Sequence, residues 1–346
     1  MSADLFSRRN VALGLGGLAL AGCASPVLVN FAELQPPPPP TPMPPDSAEV
    51  LTGADLAGRV TAPVRINGQG PFNFVVDTGA NRTVITTELA ARLGLPDAGP
   101  ADIHGVAGIE PAQTATIDTL EVDAVTSRNI RAPTISRGRL GADGLLGVDV
   151  LRNRRVTIDF VNNQFLIEPS RVGSDDPSAV KMKEVATGAD RATNFRRVVV
   201  PARYRFGQLI IVGADVAGRP VTAFLDSGSQ STVGNNALRR LVLGTDPDPR
   251  ARRYNVPVLS ATGQTSQGEL AVMPLLKIGG LSIAGLYTVF SDLHVFDIWD
   301  LQKKPSLLIG IDAMRQFDSI TLDYGRRQVA FVIPLSQSRR PPRLPA

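Results

Sequence analysis

Two acidic residues stand out by what surrounds them. Asp77 closes the apolar run Phe74-Val75-Val76 and is followed by Thr78-Gly79-Ala80; Asp226 closes Phe224-Leu225 and is followed by Ser227-Gly228-Ser229. They lie 226 − 77 = 149 residues apart. Two carboxyl groups that share one proton supply a base and an acid together, which is what water needs to attack an amide carbonyl without a metal or a covalent nucleophile. Mutual repulsion raises one of the two pKa values, so one group is charged while the other stays neutral. The neighbours suit that task. Gly79 and Gly228 allow a turn tight enough for backbone N–H groups to reach the carboxylates. Thr78 and Ser227 carry hydroxyls able to hydrogen-bond between the two segments, and Ser229 adds another hydroxyl. The sequence leaves open which Asp starts ionised.

Each Asp needs an element that delivers it. Before Asp77, two short apolar strands flank Asn67-Gly68, a strong hairpin signal; before Asp226, the segment from Leu209 to Leu225 reads as a hairpin again. Each half also ends alike. Leu145-Leu146-Gly147-Val148-Asp149 precedes a strand containing Asp159, and Leu308-Ile309-Gly310-Ile311-Asp312 precedes one containing Asp323. The intervals from Asp to glycine are 147 − 77 = 70 and 310 − 226 = 84 residues. The halves therefore read as homologous lobes, mainly β, with short helices expected at 87–93, 148–152, 235–241 and 312–316. Asp149 and Asp312 are expected to cap helices, and Asp159 and Asp323 to make structural hydrogen bonds.

The doubled Asp-(Thr/Ser)-Gly, each with a later hydrophobic-hydrophobic-Gly in Leu146-Gly147 and Ile309-Gly310, resembles the paired signature of pepsin-like and retropepsin-like aspartic proteases over roughly residues 60–334. The chain is also similar to bacterial periplasmic proteases made by fusing two retropepsin-like units, the PerP type among them. The resemblance implies an all-β acid-protease fold: two homologous retropepsin-like β-barrel lobes with a cleft between them, a catalytic pair of Asp77 and Asp226, and no cofactor or metal. Its substrate is then an extended polypeptide. Ala80 departs from the pepsin pattern by lacking a hydroxyl. With one fewer hydrogen bond to the charged form, the optimum is expected in mildly acidic to neutral buffer. A flap over the cleft is expected at His104, Gly105, Val106, Ala107 and Gly108, with a counterpart at 258–264.

The chain of 346 residues is long enough for two domains with their own cores. A formal charge of +4 is spread without a dense basic stripe or interleaved aromatics, which argues against nucleic acid. Ser7-Arg8-Arg9, an apolar stretch, and Leu20-Ala21-Gly22-Cys23 resemble a bacterial lipoprotein export signal over 1–23, with Cys23 the lipidated residue. The boundaries expected beyond it are a proline-rich tether over 24–50, the first lobe over 51–172, an interlobe connection over 173–197, the second lobe over 198–336 and a disordered tail over 337–346. This describes a periplasmic enzyme anchored to the membrane by lipid, a monomer whose lobes pair within one chain. Cys23 is the only cysteine, so intramolecular disulfides are excluded. The only histidines, His104 and His294, fall in different halves and are expected to be structural or exposed. Trp299 is expected to pack in the core or between the lobes, with a subsite wall as the alternative.

Overall fold

The computed structural model describes residues 27–29, 48–51, 53–54, 59–105, 108–170, 195–205, 207–244, 254–259 and 265–334. Val106 and Ala107 of the expected flap, Cys23, Pro36–Pro45, the connection over 171–194, the tip over 260–264 and the tail lie outside the described residues.

The first lobe begins with the expected hairpin. Asn67 and Gly68 both take positive φ, 49° and 77°, the geometry a two-residue turn needs to match the twist of its strands. The strands it joins, Val60–Ile66 and Gln69–Val76, belong to an eight-stranded sheet. That sheet closes, because Val60–Ile66 also pairs with the long strand Gly108–Val122 through Arg65↔Glu121 and Ile66↔Leu120. Alternation along Val60–Ile66 turns Val64 and Ile66 inward, where both are fully buried. Each such side chain contributes about 1.5–3 kcal/mol through lost apolar exposure.

The second lobe repeats the plan. Its hairpin turns at Ala217-Gly218, again both at positive φ, and the strand Thr222–Leu225 leads to Asp226. Its strands run on into a shared layer. Phe195–Arg205, Gln328–Pro334, Ser319–Asp323, Arg154–Asp159, Gln164–Pro169 and Ala48–Leu51 lie side by side and antiparallel, so strands from both halves form one sheet under the lobes. At its centre Thr157 pairs with Thr321, and their hydroxyls are 2.9 Å apart. A pseudo-twofold relation of 321 − 157 = 164 residues passes between them.

Helices are short, as expected, and lie at Thr87–Arg92, Val148–Leu151, Asn236–Leu243 and Ile311–Met314. Arg137–Leu140 and His294–Ile298 are additional. Neither has the three-turn apolar periodicity that reveals a helix in sequence. Within the stretch read as a tether, Val27–Val29 pairs with Leu281–Ile283 and Ala48–Leu51 with Gln164–Pro169, so these pieces are strands of the body. Likewise Phe195–Arg205 begins inside the expected connection. No described helix is long and apolar enough to cross a membrane.

Candidate active site

Each catalytic-type Asp sits where its strand leaves the sheet. Gln69–Val76 runs parallel to Gly144–Leu146, and the Asp77 N–H donates to the Leu146 carbonyl at 3.0 Å. In the second lobe Thr222–Leu225 runs parallel to Ser306–Ile309, and the Asp226 N–H donates to the Ile309 carbonyl at 2.9 Å. The hydrophobic-hydrophobic-Gly segments thus hold the ends of the Asp strands. Their glycines are required by space: a Cβ on Gly147 would lie 2.3 Å from the Arg82 carbonyl carbon, and one on Gly310 would lie 2.5 Å from that of Ser231.

A second repeated device locks these crossings. Asp149 accepts from the Thr83 N–H and hydroxyl, and the Gly147 N–H donates to the same hydroxyl. Asp312 does the same with Thr232, whose hydroxyl accepts from Gly310 N–H. The helices that follow are entered from Gly147 and Gly310, so Asp149 and Asp312 lie inside the first turn. There each accepts from its own helix, at Val150 and Ala313 N–H, and also clamps a remote segment, a role not expected from sequence. Asp159 and Asp323 do make the expected structural bonds, accepting from the N–H groups of Val161 and Asn162 and of Arg326.

The two loops interlock at the pseudo-twofold axis. Thr78 Oγ1 donates to the Leu225 carbonyl at 3.0 Å and accepts from the Ser227 N–H at 3.1 Å. Ser227 Oγ donates to the Val76 carbonyl at 2.7 Å and accepts from the Thr78 N–H at 3.1 Å. Both residues are fully buried, so these four bonds hold the lobes together away from water.

The same crossing brings the carboxyls face to face. A Cβ on Gly79 would lie 2.3 Å from the Asp226 carboxyl carbon, and one on Gly228 would lie 2.2 Å from that of Asp77. Each loop's glycine is therefore the floor under the other lobe's acid. Asp77 Oδ1 accepts from the Gly79 and Ala80 N–H groups at 2.8 and 2.9 Å; Asp226 Oδ1 accepts from those of Gly228 and Ser229 at 2.9 and 3.2 Å. Ser229 supports the pair through its backbone alone, since its hydroxyl donates to the Ser231 carbonyl. Neither carboxyl then has the hydroxyl support whose loss was read from Ala80 only.

The proton is not shared evenly. Burial pushes the Asp226 carboxyl well above the usual range, and the charge of Asp77 and the hydrogen bond between the two add to this. Asp77 is raised too, mainly by burial, but its backbone donors, the bond from Asp226 and the Arg59 guanidinium pull it back. Asp226 is thus raised further than Asp77, whose donors and neighbouring guanidinium favour its charged form.

Above the pair lies a cleft of about 460 Å³. Its first-lobe wall carries Ala80, Val84, Ile135, Leu145 and two arginines, Arg59 and Arg139; its second-lobe wall is mainly apolar, with Trp299, apart from Ser229, Gln230 and Ser231 next to Asp226. Trp299 also packs edge-on against Phe224, ring centroids 4.7 Å apart, so it serves both core and cleft. The expected flap is the hairpin of Asp97–Gly105 with Gly108–Val122, in which Gly105 pairs with Gly108 and His104 with Ile109. Ile103, His104 and Gly105 line the cleft. Arg59, Thr83 and Thr232 were missed in the sequence, although Thr83 and Thr232 share the 149-residue spacing of the Asp pair, 232 − 83 = 149, and that repeat was a usable signal.

No group of three metal-ligating side chains occurs among the described residues. Among curated proteins none matches the chain. A family model for aspartyl proteases matches residues 62–150 and 212–313, one segment in each lobe and each carrying one Asp-(Thr/Ser)-Gly with its partner glycine. With more than half of its length matched, and with the two carboxyls brought together at the lobe junction, this chain belongs to the aspartyl protease family.

Proposed function

We propose that the protein is an aspartic endopeptidase that cleaves polypeptides bound in extended form between its lobes. The observation that carries this reading is the pairing of Asp77 and Asp226 at the lobe junction, each held by two backbone N–H groups and floored by the other loop's glycine. Asp77, charged, takes a proton from water as the water attacks the scissile carbonyl. Asp226, protonated, donates to the developing oxyanion, and proton transfer to the leaving nitrogen completes the cycle with no acyl-enzyme. Because both carboxyls are raised, the window in which one is charged and the other neutral moves upward from the ordinary carboxylate range near pH 4. This supports mildly acidic to neutral working conditions. An optimum below about pH 3.5 contradicts it.

The cleft walls favour apolar side chains on the second-lobe side, beside Val233, Val289 and Trp299. The lobes' hydrogen bonds within one chain favour a monomer. Paired Arg8-Arg9 and Leu20-Ala21-Gly22-Cys23 support export and lipid anchoring at Cys23, which would place the enzyme at the periplasmic face of a bacterial membrane and its substrates among envelope proteins. The decisive test is incubation with a mixed peptide library. Pepstatin-sensitive cleavage that is abolished by Asp77→Asn and, separately, by Asp226→Asn supports the reading; tight peptide binding with no products assigns the chain to a silent peptide-binding role instead. Labelling with a palmitate analogue, with Cys23→Ser as control, tests the anchor.

A further inference from the structure

The chain has only two histidines, His104 and His294, and folding brings them together from opposite lobes. His104 Nδ1 lies 3.3 Å from His294 Nε2. The ring planes differ by 7° and the centroids are 5.5 Å apart. The centroids are thus 5.5 − 3.3 = 2.2 Å farther apart than the nitrogens, so the rings meet edge to edge, each presenting an in-plane nitrogen to the other. Such a pair shares one proton, with one ring as donor and the other as acceptor.

The same spacing is that of two ligands on one tetrahedral ion, reached when each ring turns its nitrogen from the other toward a point beside the line between them. Two Zn–N bonds of about 2.0–2.1 Å at the tetrahedral angle set their nitrogens about 3.3–3.4 Å apart. Imidazole suits zinc, copper and nickel alike. We propose that His104 and His294 form a two-histidine site for a divalent transition metal of the zinc class, which ties the flap hairpin to the second lobe across the mouth of the cleft.

The surroundings agree with a cation. Asp102 precedes His104 by two residues on the same strand face, and Asp297 follows His294 by three on the same helix face; both are exposed acids. Arg139, which lines the cleft from the first lobe, is paired with Glu110. No third His, Cys, Asp or Glu completes a group among the described residues, so the remaining positions fall to water and the site is a reversible one. Its place gives it an effect. Ile103, His104 and Gly105 from the hairpin and Leu293 and Val295 beside His294 line the cleft that holds Asp77 and Asp226. The hydrogen bond there is exposed and yields readily to water; two coordinate bonds hold the hairpin down and slow substrate entry.

Zinc chloride is the probe, used on the full chain. Calorimetry is expected to show one zinc per chain, with a rise in the thermal midpoint, and both are expected to vanish in His104→Gln and in His294→Gln. Cobalt(II) in place of zinc should give the visible absorption of tetrahedral coordination in the parent protein alone. Cleavage of peptides should slow several-fold with zinc in the parent, whereas the rate of each variant, whatever its value without metal, should not respond to zinc. Zinc binding that survives either substitution, or no binding above that of the double variant, overturns the proposal. The slowing of cleavage rests on the protease reading, whereas binding and the thermal shift do not. Zinc bound by a chain that cleaves nothing keeps the site and removes the enzyme; cleavage without zinc binding does the reverse.

Discussion

The two lobes present nearly the same backbone to the reaction and different charges. Asp77 and Asp226 leave equivalent strands, accept from equivalent N–H groups and are floored by each other's glycine. Eighteen residues upstream of each, at 77 − 59 and 226 − 208, the lobes part company: the first has Arg59 and the second Gln208. The positions are equivalent in register as well, since Thr61 pairs with Val75 as Ile210 pairs with Phe224. Arg59 is 6% exposed, donates to the Leu140 carbonyl and sends its field to Asp77; Gln208 is 2% exposed and donates across the axis to the Gly79 carbonyl and Asn81 Oδ1. A symmetric scaffold can hold two acids, but it cannot by symmetry choose which one is charged. The choice needs a residue that breaks the repeat.

The strongest way to break the comparison is at the acids. Asp77→Asn and Asp226→Asn should each lower peptide cleavage by at least about 10³-fold, because each removes one half of a single proton-sharing unit. Retained activity in either would mean that the lobes do not act as one site within a chain. Next come the interlocked hydroxyls. Thr78→Val and Ser227→Ala each remove two buried cross-lobe bonds and leave backbone groups unpaired, for about 2–4 kcal/mol in chemical unfolding, whereas Thr78→Ser should behave like the parent. Unequal losses would show that one lobe carries the junction.

The shared sheet supplies a third test, at a place where the 164-residue relation fails. Asp318 stands where the first half has Arg154, 318 − 164 = 154, and Asp318 Oδ2 is buried without a hydrogen-bond partner. Burial and the nearby charge of Asp159 push its carboxyl up to about 6. A raised folded-state pKa means that stability is complete below the unfolded value near 4 and declines as pH rises through about 6. Between pH 4 and pH 7 the parent should therefore lose about 1–3 kcal/mol that Asp318→Asn does not lose, read from urea midpoints at each pH. The smallest effect is expected at Arg59. Arg59→Met removes a positive charge that lowers Asp77, so the acid limb of the kcat/KM profile should move to higher pH, while Gln208→Met should leave that limb in place. Equal movement in both would return the asymmetry to the carboxyls themselves.

Much of this site is legible along the chain because its parts are local and doubled. A hairpin, an apolar strand, an acid, a hydroxyl and a glycine recur at Asp77 and Asp226, and the partner glycines recur at Gly147 and Gly310. The cap reading of Asp149 and Asp312 caught only half of their role: each does accept from its own helix, at Val150 and Ala313 N–H, but the partners Thr83 and Thr232, some 66 and 80 residues away, leave no local mark in sequence. The His104–His294 pair was unreadable for the same reason: 190 residues separate two rings that meet only once the lobes have closed on each other.

Order along the chain was enough to establish the residue types, the repeat, the β class and the identity of the acids, since hydrophobic period and turn chemistry act over a few residues. That Asp226 is raised further than Asp77, that Ser229 helps through its N–H and not its hydroxyl, and that a first-lobe hairpin touches a second-lobe helix were decided by packing. Burial and distance set the field at a carboxyl, and both come into being when segments remote in sequence are brought side by side and water is shut out.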